Sequence, residues 1–169
     1  MFKLISKTIA AVAIVSVALF GSAHAKTLKI ETHFTASSPN GEVAAQFAKN
    51  VEKFSGGSLK VQMFYSSSVT GKSAEVFNSA QTGIIDCDMT GAGYQTGKNA
   101  AFQFAGDVMG GYDNPYQQYE FLNFPGAQEA VDALYNKYGM TLIGWWIPGH
   151  ESLISSRPIP DVASIKDFK

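Results

Sequence analysis

The sequence predicts an α/β fold, a mainly parallel sheet flanked by helices, and three observations predict it. Between Thr27 and Thr90, stretches that alternate every second residue take turns with stretches of helical periodicity, in the order strand, helix, strand, helix, strand. The links between them are polar and carry Gly, Ser and Pro. Near the end, an apolar run containing Trp145 and Trp146 stops at Pro148-Gly149, gives His150-Glu151-Ser152, and resumes as a short β-prone run closing at Arg157-Pro158. That is the pattern of a buried strand, a tight polar turn and an extended exit. In a sheet protein, polar groups at the carboxyl end of a strand are where ligands meet the fold.

Each element has its own signal. Thr27 to Thr32 alternates, with Leu28 and Ile30 on one face. His33 to Ser38 is a loop in which Ser38 is placed to cap a helix and Pro39 suits its first turn. Val43, Phe47, Val51 and Phe54 then recur at helical spacing as one apolar stripe, with Lys49, Glu52 and Lys53 mostly outside it. Gly56-Gly57 ends that helix, and Leu59, Val61, Met63 and Tyr65 alternate as the second strand. After the polar loop Ser66 to Gly71, a helix from Ser73 to Thr82 is expected to bury Val76, Phe77 and Ala80 and to stop at Gly83. Ile84 to Thr90 reads as the third strand, with Ile85, Cys87 and Met89 on one side. Asp86 and Asp88 fall on the other, as solvent-facing or helix-capping groups. Gly91 to Asn99 is a glycine-rich loop; helices are expected at Pro115–Leu122 and Gln128–Tyr138, the latter presenting Val131, Leu134, Tyr135 and Tyr138. Met140–Ile147 is expected as a fourth strand, and a further helix begins at Asp161.

The first residues carry an export signal: Lys3 and Lys7, an apolar core from Ile9 to Phe20, and the small-residue site Ala23-His24-Ala25. The core is shorter than the ~20 residues needed to span a bilayer. Cleavage after Ala25 takes the basic residues from 13 to 11 against 14 acids, and the net charge from −1 to −3. That balance argues against nucleic acid or an anionic membrane surface as partner. The single cysteine, Cys87, allows no intrachain disulfide, so an exported chain must rest on its core. Cys87 reads as a small buried apolar residue.

Several segments, in order along nearly the whole exported chain, resemble one family. They are Glu42 to Phe54 leading into Ser55-Gly56-Gly57-Ser58-Leu59-Lys60-Val61, then Tyr65 to Gly71, then Gln81-Thr82-Gly83-Ile84-Ile85-Asp86. Ser156-Arg157-Pro158-Ile159 and Ile165 to Lys169 complete the set. The chain resembles the extracytoplasmic solute-binding subunit of tripartite ATP-independent periplasmic (TRAP) transporters, the DctP-like group. The resemblance implies a periplasmic binding protein-like (type II) lobe and the capture, outside the inner membrane, of a small organic acid for delivery to permease subunits. It implies no enzymatic step. Family members run to roughly twice this length in two lobes, with an arginine beyond the position of Lys169 that pairs with the ligand carboxylate. The expected organisation is therefore an amino-terminal fragment: 1–25 signal peptide, 26–151 first α/β ligand-binding lobe, and 152–169 the start of a crossover towards a missing second lobe. At about the position of Glu151, sialic-acid-binding members carry an arginine. A glutamate there repels an anion unless a cation intervenes, and some members hold oxo acids through a metal ion, with which Glu151 is compatible.

The loops after strands one, three and four supply the candidate ligand contacts: Phe34 and Thr35; Thr90, Gly91 and Tyr94; Trp146, His150 and Glu151. Phe34 and Trp146 would wall a cleft, Thr35, Thr90 and Tyr94 would donate hydrogen bonds, and Gly91 would let the backbone approach closely. Backbone N–H groups at helix starts add donors for a carboxylate. The competing reading of each aromatic is core packing. His150-Glu151-Ser152 invites comparison with a hydrolase, but adjacent residues of an extended segment point to opposite faces, and neither G-x-S-x-G nor H-E-x-x-H occurs. His33, His150, Glu151, Asp86 and Asp88 match no recognised metal-ligand spacing, so no cofactor is expected beyond a ligand-bridging ion. The alternatives kept open are the binding protein of an ABC importer and, in another class, a secreted hydrolase.

Overall fold

A computed structural model describes residues 25–106, 108, 110–147 and 154–166. The chain divides into two compact units, meeting between Thr90 and Gly91.

The first unit is a three-stranded parallel sheet with two helices. β1 (Lys26–Thr32), α1 (Pro39–Phe54), β2 (Leu59–Phe64), α2 (Ser73–Gln81) and β3 (Cys87–Met89) follow in the expected alternation. The sheet order is β2-β1-β3, so β1 is central. Its first six residues pair with β2 from Lys26↔Leu59 to Glu31↔Phe64, and its end pairs with β3 at Ile30↔Cys87, Glu31↔Asp88 and Thr32↔Met89. Both neighbours cover the carboxyl end of β1, which is why Ile30, Glu31 and Thr32 are all buried although alternation would expose Glu31.

Ser38 caps α1, its Oγ accepting from the Gly41 N–H at 3.1 Å, and Pro39 opens the helix. The expected stripe is displaced. Gly41, Ala44 and Ala48 are the buried positions, Phe47 and Val51 are half-buried, and Val43 and Phe54 are 57% and 79% exposed. Small residues on the inner face let the helix backbone approach its neighbours closely, and the larger side chains are turned to the flank. Glu52, on the outer side by sequence, instead ties α1 to β2: its Oε1 accepts from the Val61 N–H at 2.9 Å. α2 buries Val76, Phe77 and Ser79, close to the expected face, and Gly83 follows it in the left-handed region (φ 77°).

β3 is shorter than expected because its first residues still belong to the helix end. The N–H groups of Ile84 and Ile85 both donate to the Ser79 carbonyl (2.9 and 3.4 Å), leaving Ile84 57% exposed and Ile85 buried. The chain joins the sheet at Asp86, whose N–H donates to the Lys29 carbonyl at 2.8 Å and whose Oδ2 accepts from the Lys29 N–H at 2.8 Å. Asp86 is exposed as expected; Asp88 is not, and its Oδ1 is buried beside β1.

The second unit is helical. Short 3-10 turns at Ala92–Gln95 and Ala100–Phe104 precede α3 (Pro115–Asn123) and α4 (Pro125–Asn136). Asn114 caps α3 by accepting from Tyr116 and Gln117 N–H groups, both at 3.0 Å. Phe102, fully buried, centres the packing, with Tyr135 edge-on at 5.2 Å and Tyr138 tilted at 5.5 Å between ring centroids. Leu122, Leu134 and Ala105 complete this core, and buried Gln118 donates from Nε2 to the Gly106 carbonyl at 3.0 Å.

The expected fourth strand does not form: Met140–Ile147 joins no ladder among the described residues. A β-prone run becomes a strand only where an edge accepts its hydrogen bonds. Met140 instead closes the end of α4, its N–H on the Tyr135 carbonyl at 3.2 Å, and Ile143 is 73% exposed. Of the expected final helix, Val162–Ile165 forms one 3-10 turn under an Asp161–Ser164 capping box.

Candidate functional site

The described geometry gives most shape to the carboxyl end of the parallel sheet, where β1 and β3 stop side by side at Thr32↔Met89. Here the backbone after β1 is held from two directions. The Ser67 N–H donates to the Thr32 carbonyl at 3.1 Å and the Ser66 N–H to the Phe34 carbonyl at 2.9 Å. Both serines occupy the left-handed region (φ 57° and 50°), which aims consecutive N–H groups at that segment. From the other side the Thr35 carbonyl accepts from the Ser38 N–H at 3.1 Å and the Ser38 Oγ at 2.8 Å. Phe34 and Thr35 thus sit on a segment fixed between the β2–α2 loop and the start of α1.

Phe34 is half-buried, with the His33 ring tilted against it at 3.9 Å between centroids, and Thr35 is exposed. Burial lowers the His33 pKa below the usual 6.5, so its imidazole is neutral near pH 7. Across the strand pair stands Thr90, whose Oγ1 is buried without a hydrogen-bond partner. Asp88 is pushed up to about 6, above all by burial, with the Glu31 charge adding to the rise and Thr90 pulling the other way. Thr90's hydroxyl is near enough to act on that charge but forms no hydrogen bond of acceptable geometry. Burial, together with Asp86 and Asp88, pushes the Cys87 thiol up, away from reactivity.

The sequence-derived contacts therefore divide. Phe34, Thr35 and Thr90 lie at one end of one sheet. Gly91 and Tyr94 belong to the second unit, where the Tyr94 ring is the nearest group to the Gly91 α-carbon's open side, 3.9 Å from where a Cβ would stand. Tyr94 is 46% exposed and Trp146 is half-buried. His150 and Glu151 lie outside the described residues. Among the described residues no group of three His, Cys, Asp or Glu side chains is placed to hold a metal ion, and no helix is long and apolar enough to cross a membrane.

Sequence reasoning missed Glu31 and the burial of Asp88. The available signal was position: Glu31 lies at the carboxyl end of the central strand, the part of β1 that is flanked by both β2 and β3 and is buried, whereas Lys29 earlier on the same strand is exposed.

A parallel sheet with strand ends, a capped helix start and a pinned loop converging on one edge is the construction of a periplasmic binding protein-like lobe of type II. The chain belongs to the bacterial extracellular solute-binding protein family 7 (DctP), whose family model matches residues 30–169. Solved TRAP solute-binding proteins share the fold. The apo open protein of Rhodobacter sphaeroides is 25% identical, with a TM-score of 0.65 over 70% of this chain and 37% of its own. That of Colwellia psychrerythraea, with bound calcium and pyruvate, is 22% identical, with a TM-score of 0.62 over 68% of this chain and 35% of its own. That of Bordetella bronchiseptica, with copurified calcium and picolinate, is 21% identical, with a TM-score of 0.61 over 68% and 34%. The chain thus spans little more than a third of the length of these structures. Comparison with curated proteins gives no match. The family and these neighbours are binding proteins.

Proposed function

We propose that this chain provides the first ligand-binding lobe of an extracytoplasmic receptor that captures a small organic acid and hands it, unchanged, to a TRAP-type permease. The observation that carries this reading is the family match over residues 30–169. The pinned segment after β1 supports it, because it presents Thr35 and the start of α1 at the sheet end where such a ligand would dock. In this reading 1–25 is a cleaved signal peptide, the protein works in the periplasm, 26–151 forms the lobe and 152–169 leads towards a second one.

Phe34, Thr35 and Thr90 are the proposed contacts from the first unit; Gly91, Tyr94, Trp146, His150 and Glu151 are those from the rest of the chain. The anion is charge-matched either by an arginine of the second lobe or by a bridging cation. Calcium accompanies pyruvate and picolinate in two of the neighbours, and Glu151 is the residue here that a cation would reconcile with an acid. Selectivity then arises from a few polar groups in an apolar cleft, closed by lobe movement.

The test is thermal stability of a two-lobed protein that contains this chain, with excess pyruvate or picolinate, with and without calcium, together with analysis of the recovered acid; the lobe alone should bind weakly or not at all. The reading expects a raised melting temperature and an unaltered acid. No shift with any small acid, or conversion of the acid to product, overturns it; product lost on replacing His150 or Ser152 identifies a hydrolase instead.

A further inference from the structure

The sheet end holds two acids that the acid-capture reading does not use. Glu31 is fully buried on the central strand. Its Oε1 accepts from the Val69 N–H at 2.6 Å and the Thr70 N–H at 3.4 Å, while Oε2 is buried with no partner. Asp88 is its register partner on β3, so the two side chains leave the sheet on the same face, from strands ~4.8 Å apart. Asp88 Oδ1 is likewise buried and without a partner.

Two neighbouring buried carboxylates cannot both ionise without a compensating charge. Among the described residues neither acid forms an ion pair. Lys29 on β1 engages Asp86 through its backbone, Lys26 acts on Cys87, and Glu75 on α2 accepts from Asn78. The charge of Glu31 bears on Asp88 and adds to the rise that burial causes. Glu31 is held by two amide donors, whereas at Asp88 burial outweighs the opposing pull of the Thr90 hydroxyl and amide, so Asp88 is the one that burial holds protonated.

We infer that Glu31 and Asp88 hold a single proton between them, carried by Asp88 and shared with Glu31 Oε2, and that its release to solvent charges the sheet end at which an acid would dock. Thr90 lies two residues after Asp88 and Phe34 three after Glu31, so a second negative charge would repel an arriving anion. That consequence rests on the proposed function; the shared proton does not.

The sign of the effect makes it testable. The folded state keeps a proton that the unfolded chain releases at 3.8, up to about 6. Stability from this group is therefore fully present below 3.8 and is lost as pH rises to about 6. His33, Glu52 and Asp161, with their lowered pKa values, contribute with the opposite sign.

Urea unfolding of the full chain across this range, compared with Asp88→Asn, should show Asp88 contributing a roughly hundredfold fall in the folding constant with rising pH in the wild type. Asp88→Asn, which keeps an uncharged donor, should flatten that fall, and Asp86→Asn should retain it. Glu31→Gln, which removes the like charge, should reduce it and serves should Asp88→Asn not fold. The infrared band of protonated carboxyl groups at pH 5 should weaken in Asp88→Asn and not in Asp86→Asn. An unchanged pH slope in both Asp88→Asn and Glu31→Gln would overturn the inference. So would sodium or calcium raising wild-type stability at pH 7 but not that of Asp88→Asn, since a metal ion rather than a proton would then occupy the pair.

Discussion

Gly41 is where the fold leaves least room, and it stands in the first turn of α1, against the segment proposed to meet the ligand. A Cβ added there would overlap the Thr35 carbonyl oxygen and lie 2.9 Å from the Ala36 carbonyl oxygen and from the Thr35 carbonyl carbon. All three are backbone atoms, which cannot swing aside as a side-chain tip can. In an open helix, glycine to alanine gains about 0.5–1 kcal/mol. Forcing a methyl group into filled space costs about 1–3 kcal/mol. Because the overlap is with backbone, the upper part of that range applies, and Gly41→Ala should lose about 2 kcal/mol net. At roughly 2–4 °C per kcal/mol for a chain of this size, the melting temperature should fall by about 4–8 °C. Gly93→Ala is the control, since nothing lies within 4 Å of its Cβ position. Thermal unfolding by circular dichroism compares the two. A Gly41→Ala protein melting at or above the wild type would refute the close packing of α1 on the Thr35–Ala36 backbone.

Further outcomes follow from the same geometry. Ser38→Ala removes the helix cap and should cost about 1 kcal/mol in urea unfolding, whereas Ser38→Gly should cost only a few tenths. Phe102→Ala should cost about 3–5 kcal/mol, with loss of the near-ultraviolet signal of Tyr135 and Tyr138. The His33 imidazole should titrate below 6.5 by NMR, and the stability it contributes, present above 6.5, should be lost as pH falls through that lower value. Glu52→Ala should speed amide hydrogen exchange at Val61, whose N–H loses its acceptor.

The order β-α-β-α-β was legible because period-two and helical patterns alternate cleanly, and the helix stops at Gly56-Gly57 and Gly83 fell where expected. What periodicity could not convey was depth. It marked Val43, Phe47, Val51 and Phe54 as the inner stripe of α1, but how closely the helix approaches its neighbours is set by Gly41, Ala44 and Ala48, which carry little hydrophobic signal. It gave no sign of Glu31, which strand order places on the central β1, where its carboxylate anchors the Val69 and Thr70 amides. Met140–Ile147 has strand composition without a ladder, because pairing is a property of the partner as much as of the segment. Of the candidate contacts, Phe34, Thr35 and Thr90 share one sheet end because loops following parallel strands must emerge on the same side.

The most direct test of acid capture is a residue-resolved NMR titration of a two-lobed protein that contains this chain, with pyruvate in the presence of calcium. If the carboxyl end of β1 and β3 receives the acid, the amide signals of Thr35, Thr90 and Gly91 move together with one affinity, and those of α4 stay still. Signals that move only in α4, or none that move at concentrations where the acid raises the melting temperature, would place the ligand elsewhere and contradict a binding site at this sheet end.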